Sequence, residues 1–255
     1  MPSTAPAIPA LIIPALDEEP VIGLTLSRVP KDLFRTIIVA DNGSTDRTAV
    51  VARSHGAIVV HAPERGYGNA CLRAIGALPE EIDVLVFMQA DLSEDPEEAR
   101  LLLAPITGGR ADLVIGSRAL GHAEPGALLP HQIFGNWLAA SIVSWLYGFR
   151  YTDLGPFRAI RRDALTRLDL RETSYGWTIE MQVRAIEERL RIVEMPVSYK
   201  RRAAGENKVS GNALASVQAG IVIISTIVRL WWRRHARARL RSASSRGSQA
   251  SSWRR

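Results

Sequence analysis

The sequence predicts an α/β fold with a mainly parallel, doubly wound sheet flanked by helices. Short apolar runs rich in β-branched residues alternate with segments of helical pattern. These runs are apolar at nearly every position, which is typical of strands covered on both faces. Strands separated by helices indicate right-handed crossovers and parallel pairing. The strands predicted in the first part of the chain are residues 11–13, 36–40, 57–60, 84–88 and 113–115.

Helices are predicted between these strands. One at 47–54 follows the capping side chain of Asp46, and a second covers 68–78. A third begins near Pro96, because proline suits the first turn of a helix. The acidic residues around that proline are expected to form a solvated helix start: Glu94, Asp95, Glu97 and Glu98.

The pattern of apolar and polar residues changes in the second part of the chain. Its predicted elements are a helix at 130–148, a strand at 155–161, a helix at 177–190 and a strand at 192–199. Residues 214–232 are the most apolar segment, but Gln218 and Arg229 interrupt them. We therefore expect an amphipathic helix that lies along a membrane or packs on the domain. The Ser- and Arg-rich remainder, 233–255, is predicted to be a disordered basic tail.

Charge is distributed unevenly along the chain. The formal net charge is +6, and residues 207–255 hold ten Lys or Arg and no Asp or Glu, so the preceding 206 residues carry −4. A basic tail on a mildly acidic body favours contact with an anionic membrane surface. The body itself lacks the charge of a nucleic-acid reader, so we expect no nucleic-acid partner.

The expected location is the cytoplasm, with peripheral attachment at the inner membrane surface. The single cysteine, Cys71, cannot form an internal disulfide, which favours a reducing compartment. Residues 1–10 have neither a basic region nor an apolar run of signal-peptide length.

The candidate chemistry lies in the loops that follow the predicted strands. Ligands of open α/β sheets bind beyond the carboxyl ends of the strands. Converging carboxylates suit a hard divalent cation, whose usual partner is a diphosphate, and an arginine can bind phosphate through two hydrogen bonds. The charged residues of these loops include Asp17, Glu18, Glu19, Asp41, Asp46, Asp91 and Arg118.

These loops also carry a resemblance. The segments are P-A-L-D-E-E at 14–19, V-A-D-N-G-S-T-D at 39–46, Q-A-D at 89–91, G-S-R at 116–118, and 199–210 with Gly205, Lys208 and Ser210. In this order they resemble family 2 glycosyltransferases of the GT-A fold, especially the dolichol-phosphate mannosyltransferase group and its bacterial polyprenyl-phosphate relatives. The resemblance covers residues 11–210. It implies a GT-A domain at 8–210, with a nucleotide-binding half at 8–118 and an acceptor half at 119–210, followed by an apolar helix at 211–232.

The resemblance implies a role for each matching position. Asp91 would hold a divalent metal, Mg²⁺ or Mn²⁺, on the donor diphosphate. The pocket for the nucleotide-sugar would be lined by Pro14, Leu16, Glu18, Asp41, Gln89, Ala90 and Asp91. Phosphate groups would be met by Arg118, Arg201, Arg202 and Lys208. Asp153 and Glu180 would face the acceptor, and with Asp91 and Arg118 they are the candidate catalytic residues.

Four positions depart from the family pattern. Leu16 stands for a tyrosine, Asp17 for an asparagine, and Ala40 for the first aspartate of the second loop. Gln89 replaces the first aspartate of D-x-D, and a neutral amide is a poorer ligand for Mg²⁺ or Mn²⁺ than a carboxylate. Glu94 or Asp95 would then assist Asp91.

The resemblance implies inverting transfer of a hexose from a nucleotide diphosphate to a polyprenyl phosphate. A first alternative is transfer to a hydroxyl of a soluble metabolite or glycan, with Glu180 or Asp153 as the base. A second is a non-catalytic nucleotide-sugar-binding relative, which Gln89 suggests. A third is a nucleic-acid binder that acts through the arginine tail.

Overall fold

The computed structural model describes residues 7–204 and 213–252, which form a sheet with helices on both faces. The strands are β1 Pro9–Ala15, β2 Thr36–Asp41, β3 Ile58–His61, β4 Val84–Phe87, β5 Leu113–Ala123, β6 Arg158–Arg161 and β7 Ile192–Tyr199. The helices are α1 Glu19–Arg28, α2 Thr48–Ser54, α3 Tyr67–Gly76, α4 Ala99–Thr107, α5 Pro130–Tyr147, α6 Arg162–Leu168, α7 Trp177–Glu187 and α8 Ala213–Ser252. A 3₁₀ turn, Pro96–Glu98, precedes α4.

In the described part of the chain the strands form one sheet, in the order β3-β2-β1-β4-β6-β5-β7. β1 is parallel to β2 and β4, β2 is parallel to β3, and β5 is parallel to β7. β6 runs antiparallel to both of its neighbours, β4 and β5. The predicted mainly parallel sheet is therefore confirmed, and the carboxyl ends of β1 to β4 lie at one edge of it.

Alternate residues of each strand face two separate apolar cores. In β1, Ala10 and Ile12 belong to the core under α3, α5, α7 and α8, whereas Leu11 and Ile13 belong to the core under α1, α2 and α4. All four side chains are fully buried. Helices on both faces explain why the strands read as continuous apolar runs, and they make the sheet doubly wound as predicted.

Several elements differ from the sequence prediction. Helices α1 and α6 were not predicted, although α1 begins with an acid and a proline in its first turn, Glu19 and Pro20, which both favour a helix start. β5 continues to Ala123, because its second half also pairs with β7 after a shift in register. β6 begins three residues later than predicted, after Pro156, whose nitrogen cannot donate to a strand ladder.

Helix α8 corrects the prediction for the end of the chain. It runs through Ser252, so residues 233–252 are helical where the sequence analysis expects a disordered tail. The alanine and arginine residues at 236–241 are among the strongest helix formers, which explains the continuation. Ile227 and Leu230 bury α8 against the domain, next to α5 and α7. No helix in the described residues combines the length and apolarity that a bilayer crossing needs.

Candidate active site

The loops after β1 and β2 are joined by hydrogen bonds. The Asp17 amide donates to Ser44 Oγ at 2.9 Å, and the Thr45 amide donates to Asp17 Oδ1 at 2.6 Å. The Glu18 amide donates to Thr48 Oγ1 at 2.7 Å. Asp17 has a φ of +47°, in the left-handed region that Asp and Asn tolerate better than most residues. An aspartate here therefore serves the turn as well as the asparagine of the family pattern.

Asp41 ends β2 beside the end of β1, since Ala15 and Asp41 are register partners. The Asp41 carboxylate is buried, and its Oδ1 accepts from the Ser44 amide at 3.0 Å. His61 Nδ1 lies 3.6 Å from its other oxygen. The structure thus places Asp41 and the predicted residues Pro14, Leu16 and Glu18 at one edge of the sheet.

The loop after β4 holds Asp91 in a buried turn. Asp91 Oδ1 accepts from the Ser93 amide at 3.1 Å and from the Ser93 hydroxyl at 2.6 Å. Ala90 is also buried, and its carbonyl accepts from Thr25 Oγ1 at 2.6 Å. Gln89 lies beside this turn: its Oε1 is 3.0 Å from the same Ser93 hydroxyl and also accepts from the Tyr199 hydroxyl at 3.2 Å. At the position where the family pattern has an aspartate, Gln89 therefore accepts a hydrogen bond from the last residue of β7.

Glu94 is not part of a solvated helix start, and that prediction is wrong. Its side chain is 2% exposed, and Oε2 accepts from the Gln89 amide at 2.7 Å. Burial raises the pKa of Glu94 to about 8, against the hydrogen bond from Gln89, which lowers it. Glu94 extends inward because the loop turns back on β4 after Asp91. Asp95 also has a partner, since its Oδ2 lies 3.0 Å from Lys200 Nζ.

Arg202 lies between the two acidic loops. Its Nη2 is 2.5 Å from Glu18 Oε2, and its Nη1 is 4.0 Å from Asp91 Oδ2. The segment that carries it is fixed to the same loop by two backbone bonds, from the Lys200 amide to Ser93 O and from the Ala203 amide to Asp91 O. The structure therefore brings together three predicted site residues that are far apart in sequence.

Arg118 and Asp153 form a bidentate ion pair. Arg118 Nε donates to Asp153 Oδ2 at 2.8 Å and Nη2 donates to Oδ1 at 2.7 Å, while the Arg118 amide also bonds Oδ2. Asp153 is 1% exposed. Burial alone would lower the pKa of Arg118, but the hydrogen bonds and charge of Asp153 raise it above its usual value. The guanidinium is therefore a fixed positive charge at this edge of the site.

Tyr199 connects the two sides of the site. Its hydroxyl donates to Gln89, and its ring centroid lies 5.1 Å from the Arg118 guanidinium carbon. Burial raises the pKa of Tyr199, so the hydroxyl stays a donor at neutral pH. Tyr199 is the first residue of the 199–210 segment that resembles the family, but no role was predicted for it. Its position at the end of a predicted buried strand was the available signal.

Asn136 joins α5 to the loop that carries Asp153. Its Oδ1 accepts from the Leu154 amide at 2.8 Å, and its Nδ2 lies 3.3 Å from the Thr152 carbonyl. A polar residue in an apolar helix was visible in the sequence as an interruption, but its partner was not. On the same helix, the exposed side chains Ile133, Phe134 and Trp137 form a shallow apolar patch with Pro130.

Two predicted residues lie outside this cluster, and one lies outside the described residues. Glu180 is buried, and its Oε2 accepts from the amides of Arg171 and Glu172, at 2.9 Å and 2.7 Å. Arg201 is exposed and donates to the carbonyl of Pro125, away from Asp91. Lys208 is among the residues that the structure does not describe.

The donor set fits a metal that is shared with a substrate. Asp91 is the carboxylate of the Q-A-D segment, and the described residues include no cluster of three His, Cys, Asp or Glu arranged to hold a metal ion. Mg²⁺ is commonly bound by one or two carboxylates together with substrate phosphates and water. Asp91 therefore fits a Mg²⁺ or Mn²⁺ that takes its remaining ligands from a diphosphate.

The sheet order, the antiparallel β6 beside β4 and the acidic loops at one sheet edge agree with the GT-A fold that the motifs implied. Residues 10–169 match the family model described as Glycosyl transferase family 2. The chain belongs to that family, and it is a glycosyltransferase. The family and the fold that the motifs implied are confirmed.

Similar proteins cover most of the chain. An uncharacterized glycosyltransferase of Mycobacterium tuberculosis is 36% identical over 213 residues, 82% of this chain and 93% of its own. The polyprenol monophosphomannose synthase of Mycolicibacterium smegmatis is 32% identical over 79% of this chain and 81% of its own. The undecaprenyl-phosphate mannosyltransferase of Micrococcus luteus is 30% identical over 82% of this chain and 90% of its own.

Solved structures of glucosyl-3-phosphoglycerate synthase from Mycobacterium tuberculosis share the fold. The complex with phosphoglyceric acid has a TM-score of 0.68 and 26% identity, over 87% of this chain and 80% of that chain. A complex with Mn²⁺, UDP-glucose and phosphoglyceric acid has a TM-score of 0.67 and 25% identity, over the same shares.

Proposed function

We propose that this glycosyltransferase transfers a hexose, with inversion, from a nucleotide diphosphate sugar to a polyprenyl phosphate. The observation that carries the proposal is the junction between Asn136 and the Asp153 loop. It bonds α5, the helix that carries the apolar patch, to the loop whose Asp153 holds the fixed positive charge of Arg118. A polyprenyl phosphate has the matching chemistry, because an apolar chain can lie along α5 while its phosphate meets the arginine.

The named relatives support this acceptor class. Two of them, each at least 30% identical over more than three quarters of this chain, have names that describe mannose transfer to a polyprenol or undecaprenyl phosphate. The family match at residues 10–169 covers both the donor loops and α5, so it is not confined to the predicted nucleotide-binding half.

On the donor side, Pro14, Leu16, Glu18 and Asp41 line the nucleotide. Asp91, with Gln89 and Ala90 beside it, would hold Mg²⁺ or Mn²⁺ on the diphosphate. When bound, the metal neutralises charge on the leaving diphosphate. The neighbour that contains Mn²⁺ and UDP-glucose on the same fold supports a donor of this class. Arg202, whose Nη1 lies 4.0 Å from Asp91 Oδ2, would bind the phosphates, and Arg201 and Lys208 are the further phosphate-binding candidates.

The reaction is a single displacement at the anomeric carbon. An oxygen of the acceptor phosphate forms the new bond to that carbon, the bond to the donor diphosphate breaks, and its electron pair leaves with the diphosphate. Because the acceptor oxygen is already anionic near neutral pH, no side chain has to remove a proton. The protein contributes orientation and fixed positive charge, through Arg118 and Arg202.

A hydroxyl acceptor fits the site less well, because its proton needs a base. Glu180 Oε2 accepts from two backbone amides, and both oxygens of Asp153 are bonded by Arg118. Both oxygens of Asp153 and one oxygen of Glu180 are thus already occupied by donors from within the protein. The arrangement therefore favours an acceptor that arrives without its proton.

The surface of α5 and α8 supports peripheral contact with an anionic membrane. Trp137 and Trp145 of α5 are 60% and 84% exposed, and Ile221 and Trp232 of α8 are 62% and 61% exposed. Arg233 and Arg234 follow directly on α8. Exposed aromatic and apolar side chains beside arginines are typical of proteins that lie on a membrane surface. We place the protein in the cytoplasm, at the inner face of the membrane.

The proposal is tested by assaying the full chain with radiolabelled UDP-, GDP- and dTDP-hexoses. Undecaprenyl phosphate in detergent is one acceptor, and 3-phosphoglycerate and free glucose are the hydroxyl acceptors. Each reaction is run with Mn²⁺ and with EDTA. Metal-dependent transfer of label into the organic phase with one nucleotide is the expected result.

Other outcomes have clear meanings. Label that appears only in the water-soluble products would overturn the proposed lipid acceptor. The same result would still show that the protein is a transferase. Donor binding by calorimetry without transfer to any acceptor supports the non-catalytic alternative instead.

A further inference from the structure

The 171–175 loop contacts two parts of the molecule that the proposed reaction keeps separate. On one side it meets α8, and on the other it meets the 65–69 loop at the start of α3. The 65–69 loop follows β3 at the edge of the sheet where the nucleotide pocket is proposed. Contacts through this loop therefore join the apolar helix to the donor side.

The contact with α8 is made by the side chain of Glu172. Its Oε2 is paired with the guanidinium of Arg229 and lies 3.4 Å from the Thr226 hydroxyl. The Glu172 side chain is only 11% exposed. Desolvation raises the pKa of Glu172, but the hydrogen bonds from Arg229 and Ser174 outweigh it and lower the pKa overall. Glu172 is therefore ionised and bonded to α8 throughout the neutral range.

The contact with the 65–69 loop is made by the backbone. The Asn69 amide donates to the Thr173 carbonyl at 2.9 Å. A Cβ added at Gly68 would lie 2.2 Å from the Glu172 carbonyl oxygen, and one at Gly66 would lie 2.3 Å from the Thr173 carbonyl oxygen. The two loops thus approach so closely that only glycine fits at both positions.

The 65–69 loop is bonded in turn to the donor side. The Gly66 amide donates to Asn42 Oδ1 at 2.8 Å, and Asn42 Nδ2 donates to the carbonyls of Ala62 and Glu64. Asn42 directly follows Asp41 in the loop after β2. A continuous set of contacts therefore runs from Arg229 through Glu172, Gly66 and Asn42 to the nucleotide pocket.

We infer that the Arg229–Glu172 ion pair positions the 65–69 loop. The packing of α8 against the domain is thereby coupled to donor binding. Arg229 and Glu172 are positioning residues, because they act through the loop and need not contact the donor. The inference rests on the proposed function, since it requires a nucleotide-sugar donor at this edge. It extends that function by making donor affinity respond to α8, the helix proposed to lie on the membrane.

The test is a double-mutant cycle read out as donor affinity. Arg229→Ala is expected to weaken binding of the nucleotide sugar by about fivefold in calorimetry, with KM for the donor raised and kcat little changed. Gly68→Ala is expected to weaken binding more, since it separates the loops directly. In the Gly68→Ala background, Arg229→Ala should then have almost no further effect.

A matched control separates coupling from general loss of stability. Arg100→Ala removes an arginine of similar exposure, 45% against 48%, which pairs with Asp32 away from the site. Donor affinity of this variant should equal that of the parent protein. Backbone amide exchange at residues 66–69 should speed up in Arg229→Ala and stay unchanged in the control.

Each contrary outcome has one meaning. Parent affinity and parent amide exchange in Arg229→Ala, or equal weakening by Arg100→Ala, would overturn the coupling. If the parent protein binds none of the nucleotide sugars, the proposed function fails. The exchange data then still decide whether Arg229 positions the loop.

Discussion

The donor edge and the α5 surface are built in opposite ways. At the donor edge, polar groups are bonded to one another: Asp17 to Thr45, Glu18 to Arg202, and Asp91 to Ser93. Glu18, Asp91 and Ser93 are also buried. On α5, large apolar groups such as Phe134 and Trp137 are exposed. The first arrangement is fixed before any ligand arrives, whereas the second gains its partner only when an apolar body covers it.

This difference suggests that the two regions recognise their ligands in different ways. A nucleotide diphosphate needs groups at defined distances, so its site is held by hydrogen bonds within the protein. A polyprenyl chain is recognised by area and not by geometry, so a surface of apolar side chains is sufficient. Arg118 and Asp153 are connected to α5 through Asn136 and to the loop after β4 through Tyr199. The proposed acceptor phosphate would approach the donor sugar at this junction.

The largest effect is expected at the donor edge, from Asp91→Ala. Because this carboxylate is the proposed protein ligand of the metal on the diphosphate, turnover should fall by about 1,000-fold. Donor-dependent thermal stabilisation in Mn²⁺ should disappear as well. The matched control is Asp95→Asn, which removes a nearby carboxylate paired with Lys200 and should keep most of the activity. Metal-dependent donor binding that survives Asp91→Ala would contradict this assignment.

At the junction of the two regions, Asp153→Asn breaks the bidentate pair with Arg118. A largely buried guanidinium would lose its counter-charge, so the free energy of unfolding should fall by about 3 kcal/mol. Urea denaturation measures this change, with Asp163→Asn as a control in which an exposed pair is lost. A similar small change in both variants would show that the Arg118–Asp153 pair contributes little to the fold.

The donor edge also contains a carboxyl group whose protonation should affect stability. Burial raises the pKa of Glu94 to about 8, so between its unfolded pKa near 4.5 and pH 8 the folded state retains a proton that the unfolded state releases. Stability contributed by this group is therefore present at low pH and is lost as the pH rises through this window. Glu94→Gln should reduce that loss by about 2 kcal/mol between pH 6 and pH 8.

Urea midpoints at the two pH values, for the parent protein and the variant, provide the measurement. Gln89→Ala serves as a control, because it keeps the backbone amide that bonds Glu94. An unchanged pH slope in Glu94→Gln would place the ionisation at another group.

The same contrast explains what the sequence could predict. Strands and donor loops were predictable, because continuous apolar runs and ordered motifs are local signals. Glu94 was misread, because the turn that directs it inward depends on where β4 ends in space. The role of Tyr199 was missed for a similar reason: its two contacts, with Gln89 and Arg118, come from elements about 80 to 110 residues away.

The acceptor side was less predictable still. The sequence showed that 130–148 is an apolar helix, but not which of its side chains are left exposed. Exposure depends on the packing of α5 against α7 and α8, which are distant in sequence. In the same way, the resemblance gave Glu180 a role on the acceptor side but could not show that its carboxylate accepts hydrogen bonds from the amides of Arg171 and Glu172.

The smallest expected effect lies on the apolar surface and would sharpen the contrast most. Trp137→Ser removes one exposed aromatic side chain of α5, so binding to vesicles that contain anionic lipid should weaken by about tenfold. KM for undecaprenyl phosphate should rise with it, while donor affinity stays unchanged, because the donor edge is held by its own hydrogen bonds. Leu101→Ser, at an exposed leucine of α4 on the opposite face of the sheet, is the control. Equal vesicle binding by both variants would place membrane contact elsewhere, and a parallel loss of donor affinity in Trp137→Ser would show that the two regions are not independent.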